Sequence, residues 1–339
     1  MQTRRPARLV FFGSDESALP ALEAIRTRLA DRLEIVAVFS QPDRPTGRGQ
    51  KVQPNAISAW ALECEIPLYR PEKLDENTPA VLEGFGCDLA LVMAYGHILK
   101  RALLATPPLG FYNLHGSLLP KFRGATPVEG AIVAGESVTG VSMQRVVPKL
   151  DAGDVVDAES FALTDADTTT SVRERLAQAS VPLVLRALPA ILNGTATFTP
   201  QDESAVSHTR KIFRDDAAMD FAATARELAA RTRALNPWPG VTFPLGEQVI
   251  KVGRAEAAPE SARPADAANG AVLGADKRGL LVAVGDGVLR LTELQRPGGK
   301  MLPAPAFLSG CAIATGTLLE SRPMAPLVGR AAFAPRAKV

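Results

Sequence analysis

An apolar run that stops at a glycine, Ala7-Arg-Leu-Val-Phe-Phe-Gly13, constrains this chain more than any other feature. A short run of this kind suits a buried strand. The residues after it, Ser17 to Ala30, place Leu19, Leu22, Ile25 and Leu29 at helical spacing, and a second strand pattern follows over Glu34 to Ser40. Strand, helix and strand in that order predict a parallel βαβ unit. Asp88 to Ala94 is apolar on both faces, as a central parallel strand must be, and Gly110 to Gly116 reads as the next strand. The expected fold is α/β, an open, mostly parallel Rossmann-like sheet whose ligand site lies beyond the strand C-termini.

The pattern changes from Gly140. Gly140–Val147 and Val155–Leu163 read as strands and Thr168 to Leu192 as a helix. A further helix is predicted to begin near Asp220 as N-cap. It ends at Asn236-Pro237-Trp238-Pro239-Gly240, where two prolines forbid continuation. Beyond that point the chain is β-like, with a hairpin around Gly285-Asp286-Gly287 and an Ala/Pro-rich loop from Glu256 to Ala268. The expected division is residues 1–205 as a catalytic domain, 206–240 as connecting helix and linker, and 241–339 as a smaller C-terminal β-barrel of OB-like type.

Composition removes several function classes. Thirty-eight Lys and Arg stand against 36 Asp and Glu, so global basicity announces no nucleic acid and any RNA contact must come from a local patch. Residues 241–339 hold such an excess, with twelve basic against eight acidic residues, a net +4. Cys64, Cys87 and Cys311 are too scattered for a disulfide framework and read as reduced core residues. No Cys/His cluster has zinc spacing, so no metal is expected. The apolar run after Met1 is too short for a signal peptide, and the run Leu89 to Tyr95 is far short of a bilayer span, so the chain is expected in the cytoplasm and off the membrane.

Three residues could carry chemistry. The loop Gly13-Ser14-Asp15-Glu16 lacks the second and third glycines of a dinucleotide fingerprint, which argues against a nicotinamide enzyme. Of three histidines, His97 and His208 read as structural or solvated. His115 sits at a predicted strand end, where α/β sheets place active sites. Strand alternation puts Asn113 on the same face. An amide donor beside an imidazole suits a carbonyl oxygen that becomes an oxyanion, although a capped strand end also uses Asn and His. Asp151, in Leu150-Asp-Ala-Gly-Asp154, reads by itself as a loop carboxylate. The loop Gln41 to Lys51 carries Arg44, Arg48 and Lys51 against Asp43, a net +2. Its prolines and glycines argue against helix or strand, leaving either a solvated loop or a basic finger for phosphates.

The segment Asn113-Leu-His-Gly-Ser-Leu-Leu-Pro120 resembles the core signature of the 10-formyltetrahydrofolate-dependent formyltransferases. Leu150 to Asp154 resembles that family's second motif, with Asp151 falling 36 residues after His115 as the family pattern requires. The Gln41–Lys51 loop, the Asn236–Gly240 break and Leu294 to Lys300 are similar to the branch that formylates methionyl-tRNA. The resemblance runs from about residue 8 to about residue 320. Two stretches depart from it, Ser14-Asp15-Glu16 and Val147-Pro148-Lys149. It implies Asn113, His115 and Asp151 as catalytic residues, with Asn113 and His115 on the oxyanion and Asp151 pairing with His115 and moving protons. Ser117, Leu118, Leu119 and Pro120 would border the folate, and Arg44, Arg48 and Lys51 would meet tRNA. It also implies 10-formyltetrahydrofolate as co-substrate and methionyl initiator tRNA as partner; no metal is expected from the residue spacing, and the chain is expected to be a monomer. Amino-sugar-nucleotide formyltransferases and formyltetrahydrofolate hydrolases share the His motif. A different class, an RNA-binding protein on a degenerate enzyme scaffold, would not need Asn113, His115 and Asp151 intact.

Overall fold

The computed structural model describes residues 5–46 and 51–334, and the chain divides into two compact units. The first comprises residues 1–127, 138–162 and 173–207, and the second residues 128–137, 163–172 and 208–339.

The first unit is built on seven strands: β1 (Ala7–Gly13), β2 (Leu33–Phe39), β3 (Leu68–Tyr69), β4 (Leu89–Met93), β5 (Phe111–His115), β6 (Val138–Arg145) and β7 (Val155–Ala162). They lie side by side in the order β7-β6-β5-β4-β1-β2-β3. The pairs β1–β2, β1–β4, β2–β3 and β4–β5 are parallel, whereas β6 runs antiparallel to β5 and β7 antiparallel to β6. This is the open, mostly parallel sheet the periodicity predicts. The chain builds to one side of β1, then returns to build the other, so the crevice between the C-terminal ends of β1 and β4 is the topological switch point. Gly13 ends β1 there, and a Cβ at that position would lie 2.5 Å from the Met93 carbonyl oxygen. Only glycine lets the two strand ends approach so closely.

One face of the sheet is aromatic. The Phe12 ring stacks on Phe39 at 4.7 Å and meets Tyr95 and Phe111 at 5.3 and 5.5 Å. Burying each such ring contributes roughly 1.5–3 kcal/mol. The departure at Ser14-Asp15-Glu16 has a local structural role: the Asp15 carboxylate accepts from Ser17 N at 3.0 Å and caps the turn that leads into the helix Leu19–Arg28. The 25-residue helix Thr169–Asn193 is long and apolar enough to cross a bilayer by length and composition, which a search for uninterrupted apolar runs does not reveal. Its Leu176, Leu183, Val184, Leu188 and Ile191 are buried inside the protein, and it carries Pro182 and Pro189.

In the second unit β8 (Val241–Leu245), β9 (Gln248–Ala257), β10 (Val272–Ala275), β11 (Leu280–Val284), β12 (Gly287–Gln295) and β13 (Leu302–Pro303) form one antiparallel sheet in the order β8-β9-β12-β11-β10, with β13 against β12. Val284 pairs with Gly287, so Gly285-Asp286 is the two-residue hairpin turn the sequence predicts. The helix expected to begin at Asp220 instead spans Ala225–Ala234. Thr224 and Glu227 form a reciprocal capping box, while the Asp220 carboxylate is taken by Ala222 N and Ser321 Oγ. Leu228, Ala229 and Leu235 share one apolar core with Val241, Phe243 and Ile250, so the helix on one side of the Asn236–Gly240 break packs with the sheet on the other. Glu256 and Ala257 belong to β9 rather than to the loop expected from Glu256 onward.

Candidate active site

Strand β5 carries Asn113 and His115 on one face and Leu114 on the other. Antiparallel pairing sets Gln144 opposite Asn113 and Ser142 opposite His115, so four polar side chains share that face. His115, Ser142 and Gln144 are each at least 95% buried, which obliges them to find partners. Ser142 Oγ donates to Ser117 O at 2.8 Å and accepts from Leu119 N at 3.1 Å, tying β6 to the loop after β5. Within that loop Ser117 is wholly buried and donates to Lys121 O at 2.6 Å, while Leu118, Leu119 and Pro120 are half-buried.

The loop then turns back on His115. His115 Nε2 donates to Phe122 O at 3.0 Å. The other ring nitrogen, Nδ1, lies 3.7 Å from Asp151 Oδ2. At that distance the pair is electrostatic rather than hydrogen-bonded, so Nδ1 retains the capacity to meet a group from the substrate side. Asp151 itself is firmly held, with Oδ2 accepting from Gly124 N at 2.8 Å and Oδ1 from Gln144 Nε2 at 2.9 Å. The structure therefore brings His115 and Asp151 together across 36 residues of sequence. It joins Asn113 to Asp151 through the cross-strand neighbour Gln144. The Asp151 backbone lies in the left-handed region at φ 49°, and Gly153 is obligatory because a Cβ there would come within 1.7 Å of Arg145 O.

Sequence reasoning missed the outer half of this cluster. Gln201 Nε2 donates to Asp151 O at 2.9 Å and Gly153 O at 2.7 Å. Its Oε1 accepts from Arg123 Nε at 3.0 Å and Nη2 at 2.8 Å. Arg123 also reaches Glu203, which Lys149 meets from the other side, each at 2.9 Å. The hydrogen bonds from Lys149, then Arg123, hold the Glu203 carboxyl down at about 2. The departure at Val147-Pro148-Lys149 thus supplies a cation to this network. Gln144 is placed by the pairing of β6 with β5, which no local pattern fixes, and Gln201 has no local signal either.

The switch-point crevice is lined by polar groups. Ser14 Oγ accepts from Gln41 N at 2.9 Å, Ser40 Oγ donates to Asn55 Oδ1 at 3.0 Å, and Gln41 Nε2 donates to Tyr95 O at 2.7 Å. The Tyr95 hydroxyl and His97 Nε2 are buried with no hydrogen-bond partner among the described residues, their rings 5.0 Å apart. Burial pushes the Tyr95 phenol well up, and the Cys87 thiol up to about 12. His208, by contrast, meets Arg330 O through Nδ1 at 3.1 Å. Among the described residues no group of three His, Cys, Asp or Glu could hold a metal. A cavity of about 420 Å³ lined by Glu159, Phe161, Arg175 and Pro182 belongs to the edge strand and the long helix and contains none of these groups.

The basic loop is not irregular throughout. Arg44–Thr46 and Lys51–Gln53 form a two-stranded antiparallel ribbon, which tolerates Pro45 because such a ribbon has free edges. Arg44 pairs with Glu72 at 2.9 Å and Asp43 with Arg70 at 2.5 Å, both on the surface, and Lys51 is exposed. Arg48 lies outside the described residues.

Residues 7–188 match the family described as Formyl transferase, and residues 211–312 match Formyl transferase, C-terminal domain. The chain belongs to the formyl transferase family. It is 40% identical over 298 residues, 88% of its own length and 92% of the relative's, to a methionyl-tRNA formyltransferase of Pseudomonas syringae pv. syringae. It is 38% identical over 326 residues, 93% of its length and 98% of the relative's, to a methionyl-tRNA formyltransferase of Ralstonia nicotianae. Its fold is similar to that of an N-formyltransferase from Helicobacter canadensis solved with folinic acid and dTDP-3-aminofucose. In that case the TM-score is 0.63 and the identity 17%, over 86% of this chain and 99% of that one.

Proposed function

We propose that this chain transfers the formyl group of 10-formyltetrahydrofolate to the amino group of methionyl-tRNA. The observation that carries this reading is the match to methionyl-tRNA formyltransferases over 88% of the chain and 92% of theirs. In this reading the tRNA is the initiator, and the protein works as a monomer in the cytoplasm. Residues 1–205 perform the transfer, residues 241–339 contact tRNA, and residues 206–240 connect them.

The crevice residues fit a folate. The buried Tyr95 hydroxyl and His97 Nε2 offer hydrogen-bonding capacity that a polar heterocycle can use, beside Ser14, Ser40 and Gln41. Leu118, Leu119 and Pro120 give an apolar border, and Ser117 keeps that border in place through its backbone. The co-substrate supplies an activated formyl carbon, and the acceptor is an amine that is partly neutral near pH 7 and needs no serine or cysteine nucleophile. As the amine adds to that carbon, negative charge gathers on the formyl oxygen. Asn113 donates an amide N–H to it, and His115, in its protonated form, donates Nδ1–H to it. Asp151 offsets the positive charge the ring carries when it takes a proton, and relays the amine's proton toward the departing folate nitrogen. The Phe122 carbonyl keeps the ring from rotating away. Arg44, Arg48 and Lys51 meet tRNA phosphates, where each cation releases counterions.

The test is formylation of methionyl-tRNA by His115→Ala, with an amino-sugar nucleotide as rival acceptor for the wild type. Loss of an oxyanion-stabilising group lowers kcat by about 10²–10³. A folded His115→Ala protein with near wild-type kcat would remove His115 from the mechanism. Faster transfer to the sugar than to tRNA would replace the acceptor assigned above.

A further inference from the structure

We propose that Gln201 is a positioning residue for formyl transfer, holding the turn that carries Asp151, and that Arg123 in turn fixes Gln201. The inference rests on the proton-handling reading of Asp151 given above.

Asp151 sits in the left-handed backbone region, which a non-glycine residue keeps only where its surroundings hold it there. Gln201 supplies that hold. Its amide nitrogen donates to the turn, to the carbonyls of Asp151 and Gly153, and clamps it through the backbone, with a longer contact of 3.4 Å to Gln144 Oε1. The carboxylate is meanwhile gripped by Gly124 N and Gln144 Nε2, so the residue is fixed at both ends. The amide can face only one way. Its oxygen accepts from two N–H groups of Arg123, which orients the nitrogen toward the carbonyls.

Arg123 has no exposed surface and stands between Phe122, whose carbonyl orients His115, and Gly124, whose N–H orients Asp151. Three consecutive residues therefore address the histidine, the clamp and the carboxylate in turn. A shift of Asp151 by about 1 Å relative to His115 is the kind of misplacement that costs up to 10²-fold in rate. A glutamate at position 201 would keep the Arg123 contact while turning an oxygen on the two carbonyls. It therefore tests the donated hydrogen bonds rather than side-chain volume.

Steady-state formylation of methionyl-tRNA is measured for Gln201→Leu, Gln201→Glu, Asp151→Asn and the double variant Asp151→Asn/Gln201→Leu, with melting curves for each. Both Gln201 variants are expected to lower kcat about 10- to 100-fold, with KM for both substrates within about twofold of wild type. The pH profile of kcat should change on the same limb as in Asp151→Asn. In the Asp151→Asn background, Gln201→Leu should cost no further rate within about a factor of two, because groups acting as a unit are not additive. An equal loss in both backgrounds overturns the proposal, as does a raised KM at unchanged kcat or a near wild-type Gln201→Glu. Should Gln201→Leu fail to fold, the isosteric Gln201→Glu decides by its kcat and pH profile. Full activity in Asp151→Asn would instead overturn the role of Asp151, an outcome distinct from a Gln201 effect that merely fails to couple.

Discussion

Arg123 and Arg290 are both guanidinium groups taken out of water, one in each unit, with relative exposures of 0% and 2%. Their surroundings differ in kind. Arg290 is ringed by carboxylates, with Glu256 at 2.8 Å, Glu260 at 2.6 Å and Asp276 at 2.7 Å, and Arg278 joins the same group through Glu256. Arg123 meets Glu203 and gives two hydrogen bonds to a neutral amide, that of Gln201. The first arrangement closes on itself, and the ion group holds β12 to the strand and loop beside it. The second passes its order onward, through Gln201 to the turn of Asp151. A buried arginine among carboxylates is a matter of stability, whereas one spent on an amide clamp bears on geometry at the reacting group.

The largest expected effect separates the two sites. His115→Ala should lower kcat about 10²–10³-fold, equivalent to about 2.7–4 kcal/mol of barrier, while its melting temperature stays close to wild type. Arg290→Met should do the reverse. A drop in kcat per folded molecule for Arg290→Met would break the comparison.

A third arginine extends it to water. Arg44 is well exposed and pairs across the surface with Glu72, a weak, solvent-screened contact that leaves its charge available to an outside partner. Replacing Arg44, Arg48 and Lys51 together by Ala should raise KM for tRNA about 10-fold or more and reduce the salt slope of binding by about 2–3, with folate use unchanged. An unaltered KM and slope would make the ribbon a merely solvated element.

Smaller again is the stability cost of Arg290→Met, about 1–3 kcal/mol, because the carboxylates left behind are partly hydrated. Calorimetry of the two variants side by side gives the number. The acid limb of stability provides the finest test. Burial pushes Asp276 up, yet the hydrogen bonds from Arg290 and from Arg278 N and Gly279 N outweigh it and leave the carboxyl below its ordinary value. Glu260 is lowered first by its bond from Arg290. A carboxyl lowered by folding stabilises the native state above its unfolded pKa, about 4, and that stability is lost as pH falls through the folded value. The second unit should therefore melt progressively earlier from about pH 4 downward, and Arg290→Met should flatten this dependence. An equally steep acid limb in the variant would assign the loss to other carboxylates, of which Asp216, held down by Arg210 against its own burial, is the first to replace.

Local pattern in the chain determined the elements and half of the site. The run closing on Gly13, the alternation of Asn113 and His115 and the Gly285-Asp286 turn are short-range facts, set by sterics and by the periods of strand and helix. The Thr224/Glu227 capping box was equally local, and Asp220 was favoured as the cap only because both residue types serve as N-caps. Tertiary structure decided the rest. That Asp151 faces His115 depends on β6 pairing antiparallel with β5, which sets Gln144 between them. Gln201 comes to Asp151 across 50 residues and to Arg123 across 78, and no periodicity spans such distances. Hydrogen-bond partners of buried polar groups are chosen by which strands become neighbours, and that choice is made by packing the whole core rather than by any segment alone.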